Sequence, residues 1–530
     1  MANVSDSYTP AGPAQQSYWA STLAGVVFVA FVLFSQSWFK ANPLAHVPVM
    51  GKGSRWARRK YFMQGNATQM FLDAYRTHKD SISLITTAKT RDSILVPPKY
   101  LPELSKAPDD VISAGKAVEE FIQSKYTTVG FELPIFVHVS RANLTPALND
   151  LNPAVAETIA KTLRRDLAPT ATWSEVAINA KLLRIIAIAS GHVFVGPELC
   201  SDEAYLGTSI DFTQHLMKAV YGIAMIPTFL RPLVAPWLPM TRALHRRLAD
   251  ADAVFQPIVT ARQQASAGAG AGAGEGSTTR HNDMLQWMLD AQTRVGELST
   301  RDLALAQLGA SFAAIHTTTM TATNAVYWLA AKPELAPVLR DEVERVLAGS
   351  GGRFTTAALA DMKKMDSFLR EVMRVTPLSA SAYVRKVLKP FELSNGQVIP
   401  AGVFVEVPSV GINRDPDVFP DPDVFDALRF YELRRGCCDD DAARAGQLQA
   451  AHVGVTHLSF SFGKHACPGR VFAVNEIKML LSGLLRDYDI KLPDGVRERY
   501  PSLVFGDQAS EANVPDPTKT IMMKQREVLA

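Results

Sequence analysis

The sequence predicts one large, mainly α-helical domain with small β-sheets, preceded by an N-terminal transmembrane helix. Three observations support this prediction. The chain has 530 residues, with no internal repeat and no shift in composition that would divide it into two similar domains. The segment 300–331 keeps helical periodicity without a proline, and the apolar patches at 84–96 are typical of short strands. The apolar run at 18–34 is long enough, with its flanks, to span a membrane.

The apolar run near the N-terminus predicts a signal anchor rather than a cleaved signal peptide. Residues 18–34 are apolar apart from Ser21 and Thr22, and no charge follows until Lys40. The segment before the run contains Asp6 and no lysine or arginine, whereas a signal peptide starts with basic residues. Basic residues follow the run instead, which is expected to keep the domain on the cytoplasmic side: Lys40, Lys52, Arg55, Arg58, Arg59 and Lys60. The predicted order is a short lumenal tail at 1–17, the anchor at 18–39, a basic, proline-containing hinge at 40–60 and the domain at 61–530.

Composition argues against two broad classes of protein. The net charge is only +3 and no basic stripe with interleaved aromatic residues occurs, so a nucleic-acid partner is not expected. Four cysteines, two of them adjacent at Cys437 and Cys438, do not form a disulfide framework, which favours a reducing compartment for the domain. The alanine–glycine segment 265–276 is expected to be a surface connection without chemistry.

The segment Phe460–Gly469 surrounds one cysteine with the residues that a metal-binding thiolate loop needs. Gly463 and Gly469 allow positive φ and close approach of the backbone, and Phe460 is able to cover the sulfur with an apolar side chain. Backbone N–H groups in such a turn donate to the sulfur and tune how strongly it donates electrons to iron. The alternative is a buried structural cysteine in a glycine-rich turn. The spacing favours Cys467 as an iron ligand.

This loop resembles the signature of the cytochrome P450 family, Phe-x-x-Gly-x-x-x-Cys-x-Gly, which is matched at Phe460, Gly463, Cys467 and Gly469. The resemblance implies a haem b cofactor whose iron is bound axially by the Cys467 thiolate. It also implies the mainly helical fold of that family, with further landmarks in a fixed order along the chain.

Glu371 and Arg374 share one face of a predicted helix, in which apolar residues recur at helical spacing. The spacing alone has little weight, because Glu432 and Arg435 have it too and such pairs are usually solvated. The pair precedes the cysteine loop as the family's Glu-x-x-Arg helix does, and Arg429 matches the arginine of a third family motif. The resemblance therefore implies a buried cluster of Glu371, Arg374 and Arg429 with an architectural role.

The helix predicted at 300–331 resembles the one that crosses the distal face of the haem. Its motif Ala313–Thr317 has His316 where the family usually has an acid. Small residues let the helix pass close to the porphyrin, and a threonine hydroxyl can hydrogen-bond dioxygen or an ordered water. Thr317 is therefore the candidate for proton delivery, with His316 or water completing the relay. The alternative is a threonine-rich helix interior with a satisfied histidine.

Two basic residues match positions that bind the haem propionates in the family. They are His465, two residues before the cysteine, and Arg385, in a strand-like segment. A surface arginine is the plain alternative for Arg385. The family's Trp-x-x-x-Arg pattern is not evident near 140–148, where Arg141 is a weak substitute.

The resemblance implies a haem-thiolate monooxygenase that uses O2 and supplied electrons to hydroxylate, or oxidise repeatedly, a small apolar substrate. No flavin or nicotinamide motif is present, so the expected electron donors are NADPH–cytochrome P450 reductase and cytochrome b5. Lys464 and Arg470 would favour an acidic redox partner. The anchor predicts a single-pass protein of the endoplasmic reticulum membrane with its catalytic domain in the cytoplasm. Rival functions are a haem-thiolate isomerase or dehydratase that does not use O2, and a haem sensor or electron carrier.

The substrate class follows from a narrower resemblance. The motif Ala313–Thr318, together with Arg91–Tyr100, resembles fungal microsomal members that oxidise terpenoids and related secondary metabolites, such as the ent-kaurene oxidase type. This implies a bulky polycyclic or isoprenoid substrate, with Leu378–Tyr383 facing it. The apolar segment 224–239, broken by four prolines, lies where the family has its lid. It is either a lid that contacts membrane lipid or a buried irregular loop.

Overall fold

The computed structural model describes residues 44–527 except for 46, 88, 90–91, 131–133, 168–170, 270–280, 297, 438–441 and 504–512. A division of the chain lies between Pro48 and Val49, and the large domain comprises Val49–Ala530. The predicted lumenal tail at 1–17 and anchor at 18–39 lie outside the described residues. Helix α1, Arg55–Tyr61, occupies the end of the segment predicted as a hinge.

Helices dominate the domain, as the sequence predicts. After α1 they are α2 (Ala67–Thr77), α3 (Leu101–Leu104), α4 (Ala114–Phe121), α5 (Ser124–Thr127), α6 (Pro134–Val139), α7 (Thr145–Asp166), α8 (Ile178–Val195), α9 (Glu203–Ala224), α10 (Arg231–Val234), α11 (Pro239–Ala269), α12 (Met284–Val295), α13 (Thr300–Ala331), α14 (Leu335–Gly349), α15 (Thr356–Asp361), α16 (Lys363–Val375), α17 (Ser409–Asn413), α18 (Arg429–Arg435), α19 (Ala442–Gln447) and α20 (Arg470–Asp487).

The strands are short and form small sheets. They are β1 (Ser83–Ile85), β2 (Ser93–Leu95), β3 (Ile112–Ser113), β4 (Ser174–Val176), β5 (Ala382–Val387), β6 (Phe391–Glu392), β7 (Val398–Ile399), β8 (Phe404–Val407), β9 (Tyr488–Lys491), β10 (Ser502–Leu503), β11 (Val514–Pro515) and β12 (Ile521–Gln525). The largest sheet has the order β1-β2-β8-β5-β3, in which β2 and β8 pair in parallel and the other neighbours are antiparallel. A second sheet has the order β4-β12-β9, and β6-β7 and β10-β11 form two-stranded pairs.

Helix α13 is the long central helix, and its bounds coincide with the predicted segment 300–331. It begins with a capping box, in which the Asp302 N–H donates to Ser299 Oγ and the Ser299 N–H donates to the Asp302 carboxylate, both at 3.2 Å. It ends before Lys332 and Pro333, because proline cannot continue the hydrogen-bond ladder. Its mostly buried residues pack against α8, α9 and α11.

Helix α16, which carries Glu371 and Arg374, begins without a side-chain cap of its own. Two of its first N–H groups, those of Lys364 and Met365, donate instead to the carboxylate of Glu342 on α14, each at 2.8 Å. A carboxylate at a helix N-terminus also interacts favourably with the helix dipole. This contact fixes where α16 starts and therefore where its buried face points.

Among the described residues, α8 alone is long and apolar enough to cross a membrane. Two thirds of it, 67%, is buried inside the domain, where it packs between α7 and α13. Helix α8 is therefore a core helix.

A buried carboxyl joins α8 to α20. Ser190 Oγ donates to Glu476 Oε1 at 2.9 Å, and Glu476 Oε2 has no hydrogen-bond partner within the described part of the chain. Burial raises the pKa of Glu476 from its ordinary 4.5 to about 8. The folded protein therefore keeps a proton on Glu476 at neutral pH.

This proton makes stability depend on pH. Between about pH 4.5 and 8 the unfolded chain has lost the Glu476 proton and the folded chain has kept it, so the free energy of unfolding falls as pH rises. Glu476→Gln should remove this contribution, about 1.4 kcal/mol per pH unit in that window. Denaturant titrations of both proteins at several pH values measure the difference. Parallel pH profiles would contradict a protonated Glu476.

Candidate active site

One cavity of about 540 Å³ lies between α13, the start of α20, strand β5 and the cysteine loop, which we define as Phe460–Gly469. Several residues that the sequence predicts for the site line this cavity: Thr317, Arg385, Phe460, His465, Cys467 and Gly469. They come from segments that are far apart in sequence. The fold therefore brings the predicted cysteine, the distal threonine and the two basic residues to one cavity.

The backbone of the cysteine loop is closed by two hydrogen bonds. The Cys467 N–H donates to Phe460 O at 2.9 Å, and the Ala466 N–H donates to Gly463 O at 3.0 Å. Gly463 has φ +72°, and a Cβ there would lie 2.6 Å from the Ser105 Cβ, so only glycine fits. The loop thus holds Cys467 in a fixed position at the cavity wall.

The environment of the Cys467 sulfur suits a metal-bound thiolate. Burial raises the pKa of the Cys467 thiol, while the backbone N–H groups of Gly469 and Arg470 and the charge of Arg470 lower it. A cation at the sulfur would shift the balance to the thiolate, since thiolate is the form that binds metals. The cysteine loop and its cavity therefore fit a haem whose iron lies on the Cys467 sulfur.

Small residues and threonines of α13 form another wall of the cavity. Ala310, Ala313 and Ala314 of α13 line the cavity beside Thr317. The Thr317 hydroxyl donates to Ala313 O at 2.7 Å, a bond back to the preceding turn that locally weakens a helix. This wall has small side chains that would leave room for a flat cofactor, and its polar groups are Thr317, Thr318 and Thr321.

His316 does not join Thr317 at the cavity. Its Nε2 lies 3.2 Å from Ile210 O on α9, which requires a proton on Nε2, and burial lowers the pKa of His316. His316 is not among the residues that line the cavity. The structure thus differs from the expectation of a relay through this imidazole: adjacent residues on a helix point about 100° apart, so His316 faces α9.

The two predicted propionate ligands are both held near the cavity. Arg385 is buried on β5, with its guanidinium 4.1 Å from the ring centroid of Tyr383, so it is not the surface arginine of the alternative. His465 Nε2 lies 2.7 Å from Asp109 Oδ1, which Lys464 Nζ also contacts at 2.9 Å. Arg141 contacts Lys464 O rather than the cavity, at 2.7 Å.

Glu371, Arg374 and Arg429 form the predicted cluster below the site. Arg374 donates to both oxygens of Glu371, at 2.8 and 2.7 Å, and Arg429 Nε lies 3.3 Å from Glu371 Oε1. Arg374 also donates to Asn413 O, at 2.7 Å, and to Pro422 O, at 2.6 Å. The cluster therefore ties α16 to the irregular segment that leads to α18.

Sequence reasoning missed a second charged network. Asp366 on α16 accepts from Lys478 Nζ at 2.8 Å and from the Ala450 N–H at 2.9 Å, and it pairs with Arg434. These partners lie far along the chain from Asp366, so no local sequence pattern predicts them. Together with the Glu371 cluster, the network fixes α16, α18 and α20 around the cysteine loop.

Comparison with known proteins agrees with this site. Residues 138–508 match the family model described as Cytochrome P450. The chain is 37% identical to cytochrome P450 monooxygenase ATR3 of Stachybotrys chlorohalonatus, over 88% of this chain and 95% of the relative. It is 32% identical to cytochrome P450 monooxygenase braC of Annulohypoxylon truncatum, over 96% and 98%. It is 35% identical to cytochrome P450 monooxygenase olcJ of Penicillium canescens, over 82% and 79%.

Each of these relatives is named a monooxygenase, which favours oxygen insertion over the isomerase, dehydratase and sensor alternatives. The family model covers most of the chain, and it includes the distal helix, the Glu371 helix and the cysteine loop. The chain belongs to the cytochrome P450 family and is a haem-thiolate monooxygenase.

Proposed function

We propose that the Cys467 thiolate would bind the iron of haem b as its axial ligand in this enzyme and that Thr317 would supply protons within the same cavity. The observation that carries the proposal is the single cavity shared by Cys467 and Thr317. When bound, haem supplies the chemistry that activates O2 and inserts one oxygen atom into a substrate C–H bond with two electrons from a partner. The residues of the chain hold the cofactor, exclude water and place protons.

Arg385 and His465 are proposed to bind the haem propionates through charge-assisted hydrogen bonds. Both side chains line the cavity, and Arg385 has no carboxylate within salt-bridge distance among the described residues. The cation of Arg385 is thus available to a ligand. Asp109 next to His465 would hold that ring in place from outside the cavity.

Thr317 is proposed to pass protons from water to the oxygen side of the cofactor. Its hydroxyl bonds to Ala313 O in this structure and is accessible in the cavity, so a small rotation can exchange that bond for one to water. We assign His316 to the contact between α13 and α9, because its ring donates to Ile210 O. Proton delivery would then run through Thr317 and water.

Thr317→Ala should uncouple electron use from product formation. Without the hydroxyl, NADPH and O2 consumption continue, but product formation should fall on the order of 10²-fold. The measurement is product formed per O2 consumed in a reconstituted system. Thr319→Ala is the matched control, because Thr319 makes the same bond to the turn before it, at 2.7 Å to Ile315 O, without lining the cavity. Equal coupling in wild type and Thr317→Ala would contradict this role.

The substrate is proposed to be a bulky apolar molecule of the terpenoid or a related secondary-metabolite class. Apolar side chains dominate the cavity wall away from the cysteine loop: Val118, Phe136, Leu144, Phe194, Leu378 and Val384. Leu378 lies in the segment Leu378–Tyr383 that the sequence predicts to face substrate. Terpenoid-induced absorbance changes of the haem, absent with polar sugars of similar size, are the expected result.

The electron donors are proposed to be NADPH–cytochrome P450 reductase and cytochrome b5, docking on the side of the cysteine loop. Lys464 of the cysteine loop is partly exposed and pairs with Asp109, and Arg141, bonded to the Lys464 carbonyl, adds a second positive charge. Negative charges on a partner would speed its association with this surface, and added salt would reduce that enhancement. A reductase-supported rate that does not change with ionic strength would contradict this docking mode.

The domain is proposed to lie on the endoplasmic reticulum membrane, held by the anchor at 18–39. An apolar patch supports contact with lipid: Met225, Phe229, Leu233 and Trp237 are 64%, 78%, 70% and 69% exposed. This placement favours the lipid-contacting lid over the buried loop for the segment 224–239. Protease added to intact microsomes should digest the domain, and protection from digestion would contradict a cytoplasmic orientation.

A further inference from the structure

A second cavity, lined in part by polar and basic side chains, adjoins the main one. This annex, as we call it, has a volume of about 320 Å³. Thr376, Pro377 and Asn413 line both cavities, so the two share a wall at the C-terminal end of α16. The remaining lining is mostly polar or basic: Thr68, Arg374, Val375, Val410, Arg414, Arg499, Pro501, Ser502 and Asn513.

Arg499 is the unusual member of the annex. No carboxylate within the described part of the chain pairs with it: Nη2 donates to Asn324 Oδ1, the guanidinium lies over the Trp328 ring at 5.4 Å, and the buried Nε has no acceptor. Burial lowers the pKa of Arg499 to about 10, so it stays charged at neutral pH. A partly buried cation without a counter-charge is costly.

Two other buried arginines of this protein have carboxylate partners. Arg262 Nη1 lies 2.6 Å from Asp283 Oδ1, and Arg374 forms two hydrogen bonds to Glu371. Arg374 is therefore already neutralised where it borders the annex. The positive charge that remains there belongs to Arg499 and to the exposed Arg414.

The side chains behind Arg499 add to the excess of donors. Asn324 is fully buried and its Nδ2 has no acceptor among the described residues, and the same holds for the buried Nε1 of Trp328. Buried N–H groups are nearly always hydrogen-bonded in native proteins. Of these three residues only Arg499 lines the annex, where its partly buried charge would be neutralised by a ligand with a negative charge.

We propose that the annex binds a carboxylate group, with Arg499 as its principal ligand. A carboxylate offers two acceptors in the plane that matches a guanidinium fork. One unpaired buried charge suits a monoanion better than a phosphate dianion. The carboxylate belongs either to one end of an apolar acid whose body lies in the main cavity, or to a separate small acid. The first source rests on the proposed function and narrows the substrate class to apolar acids.

The test compares an acid with its methyl ester, which shares the same apolar body but carries no charge, and adds a third, shorter acid. Abietic acid and methyl abietate are titrated into the haem-loaded full-length protein, and dissociation constants are taken from the change in haem absorbance. Benzoate is then tested for its effect on the unfolding temperature, which needs no haem chemistry. A carbon monoxide difference spectrum of the same sample shows separately whether the haem-thiolate proposal holds.

The variants isolate Arg499. Arg499→Gln removes the charge, and Arg497→Gln removes an exposed charge two residues away as the matched control. Asn324→Asp supplies an internal carboxylate next to Arg499 and serves as the second test if Arg499→Gln loads haem poorly. Both Arg499→Gln and Asn324→Asp should abolish the preference for the acid.

The expected result for a substrate-borne carboxylate is that wild type and Arg497→Gln bind abietic acid about tenfold more tightly than its ester. Arg499→Gln should then bind the two equally. For a separate acid, benzoate should raise the unfolding temperature of wild type but not of Arg499→Gln. Equal binding of acid and ester by wild type, together with no benzoate effect that depends on Arg499, would overturn the proposal.

Discussion

Cys467→Ala is expected to abolish monooxygenase turnover and to leave a folded protein that retains little haem. Cys467 is the one cysteine among the residues that line the cavity, and the backbone N–H groups of Gly469 and Arg470 lower the pKa of its thiol. Alanine removes the ligand without disturbing the loop, because the hydrogen bond from the residue 467 N–H to Phe460 O is made by the backbone. The electron donation that favours oxygen activation is lost with the sulfur.

The measurements are product formation with reductase and the haem-to-protein ratio after purification, with circular dichroism to check the fold. Cys437→Ala is the matched control, because Cys437 follows α18, outside the cavity. In the described part of the chain, the hydrogen-bond partner of its Sγ is Leu433 O, at 3.4 Å. The control should keep full activity and haem. Comparable turnover by Cys467→Ala would rule out Cys467 as the ligand.

Glu371→Gln is expected to have the largest effect on stability, with a loss of about 3–5 kcal/mol in the free energy of unfolding. The change leaves Arg374 buried and charged, with Arg429 beside it, and only a neutral amide as partner. It also weakens the hydrogen bond from the Asp426 N–H to Glu371 Oε1, which is 3.0 Å long in the wild type. We expect the segment between α17 and α18 to loosen and haem loading to fall.

Denaturant titration of the purified protein measures the loss. Glu432→Gln is the matched control, because Glu432 and Arg435 have the same spacing and a 3.0 Å contact but are 54% and 65% exposed. Such exposed pairs contribute about 0–1 kcal/mol, so this variant should unfold almost as wild type does. If both variants lost the same free energy of unfolding, the contribution of the Glu371 cluster to stability would not come from its burial.

Local patterns account for the parts of the site that the sequence could predict. Gly463 specifies a tight turn in the cysteine loop, whereas Gly469 has φ −87° and space for a Cβ, so the expectation of positive φ holds only for Gly463. The capped, proline-free segment 300–331 specifies the distal helix with its correct ends. The spacing of Glu371 and Arg374 specified a shared helix face but not its burial. Burial depends on packing against residues far along the chain, and the family resemblance supplied that information.

The features that the sequence did not predict all depend on contacts between distant residues. Asp109 meets His465, Glu342 caps α16, and Ser190 meets Glu476 across two helices. The place of His316 in a motif suggested either a proton relay or a satisfied histidine, and in the structure its ring contacts Ile210 O on α9. A shift of one residue along a helix changes which side chain faces a cavity, and the sequence alone does not specify that orientation.

The carbon monoxide difference spectrum of the reduced enzyme tests the central claim, thiolate ligation by Cys467, most directly. Carbon monoxide bound to ferrous haem opposite a thiolate absorbs far to the red of the form opposite an imidazole, because the sulfur donates more electron density. Wild type should show the red-shifted band, and Cys467→Ala should not. A well-folded, haem-loaded wild type that shows only the imidazole-type band would contradict the account.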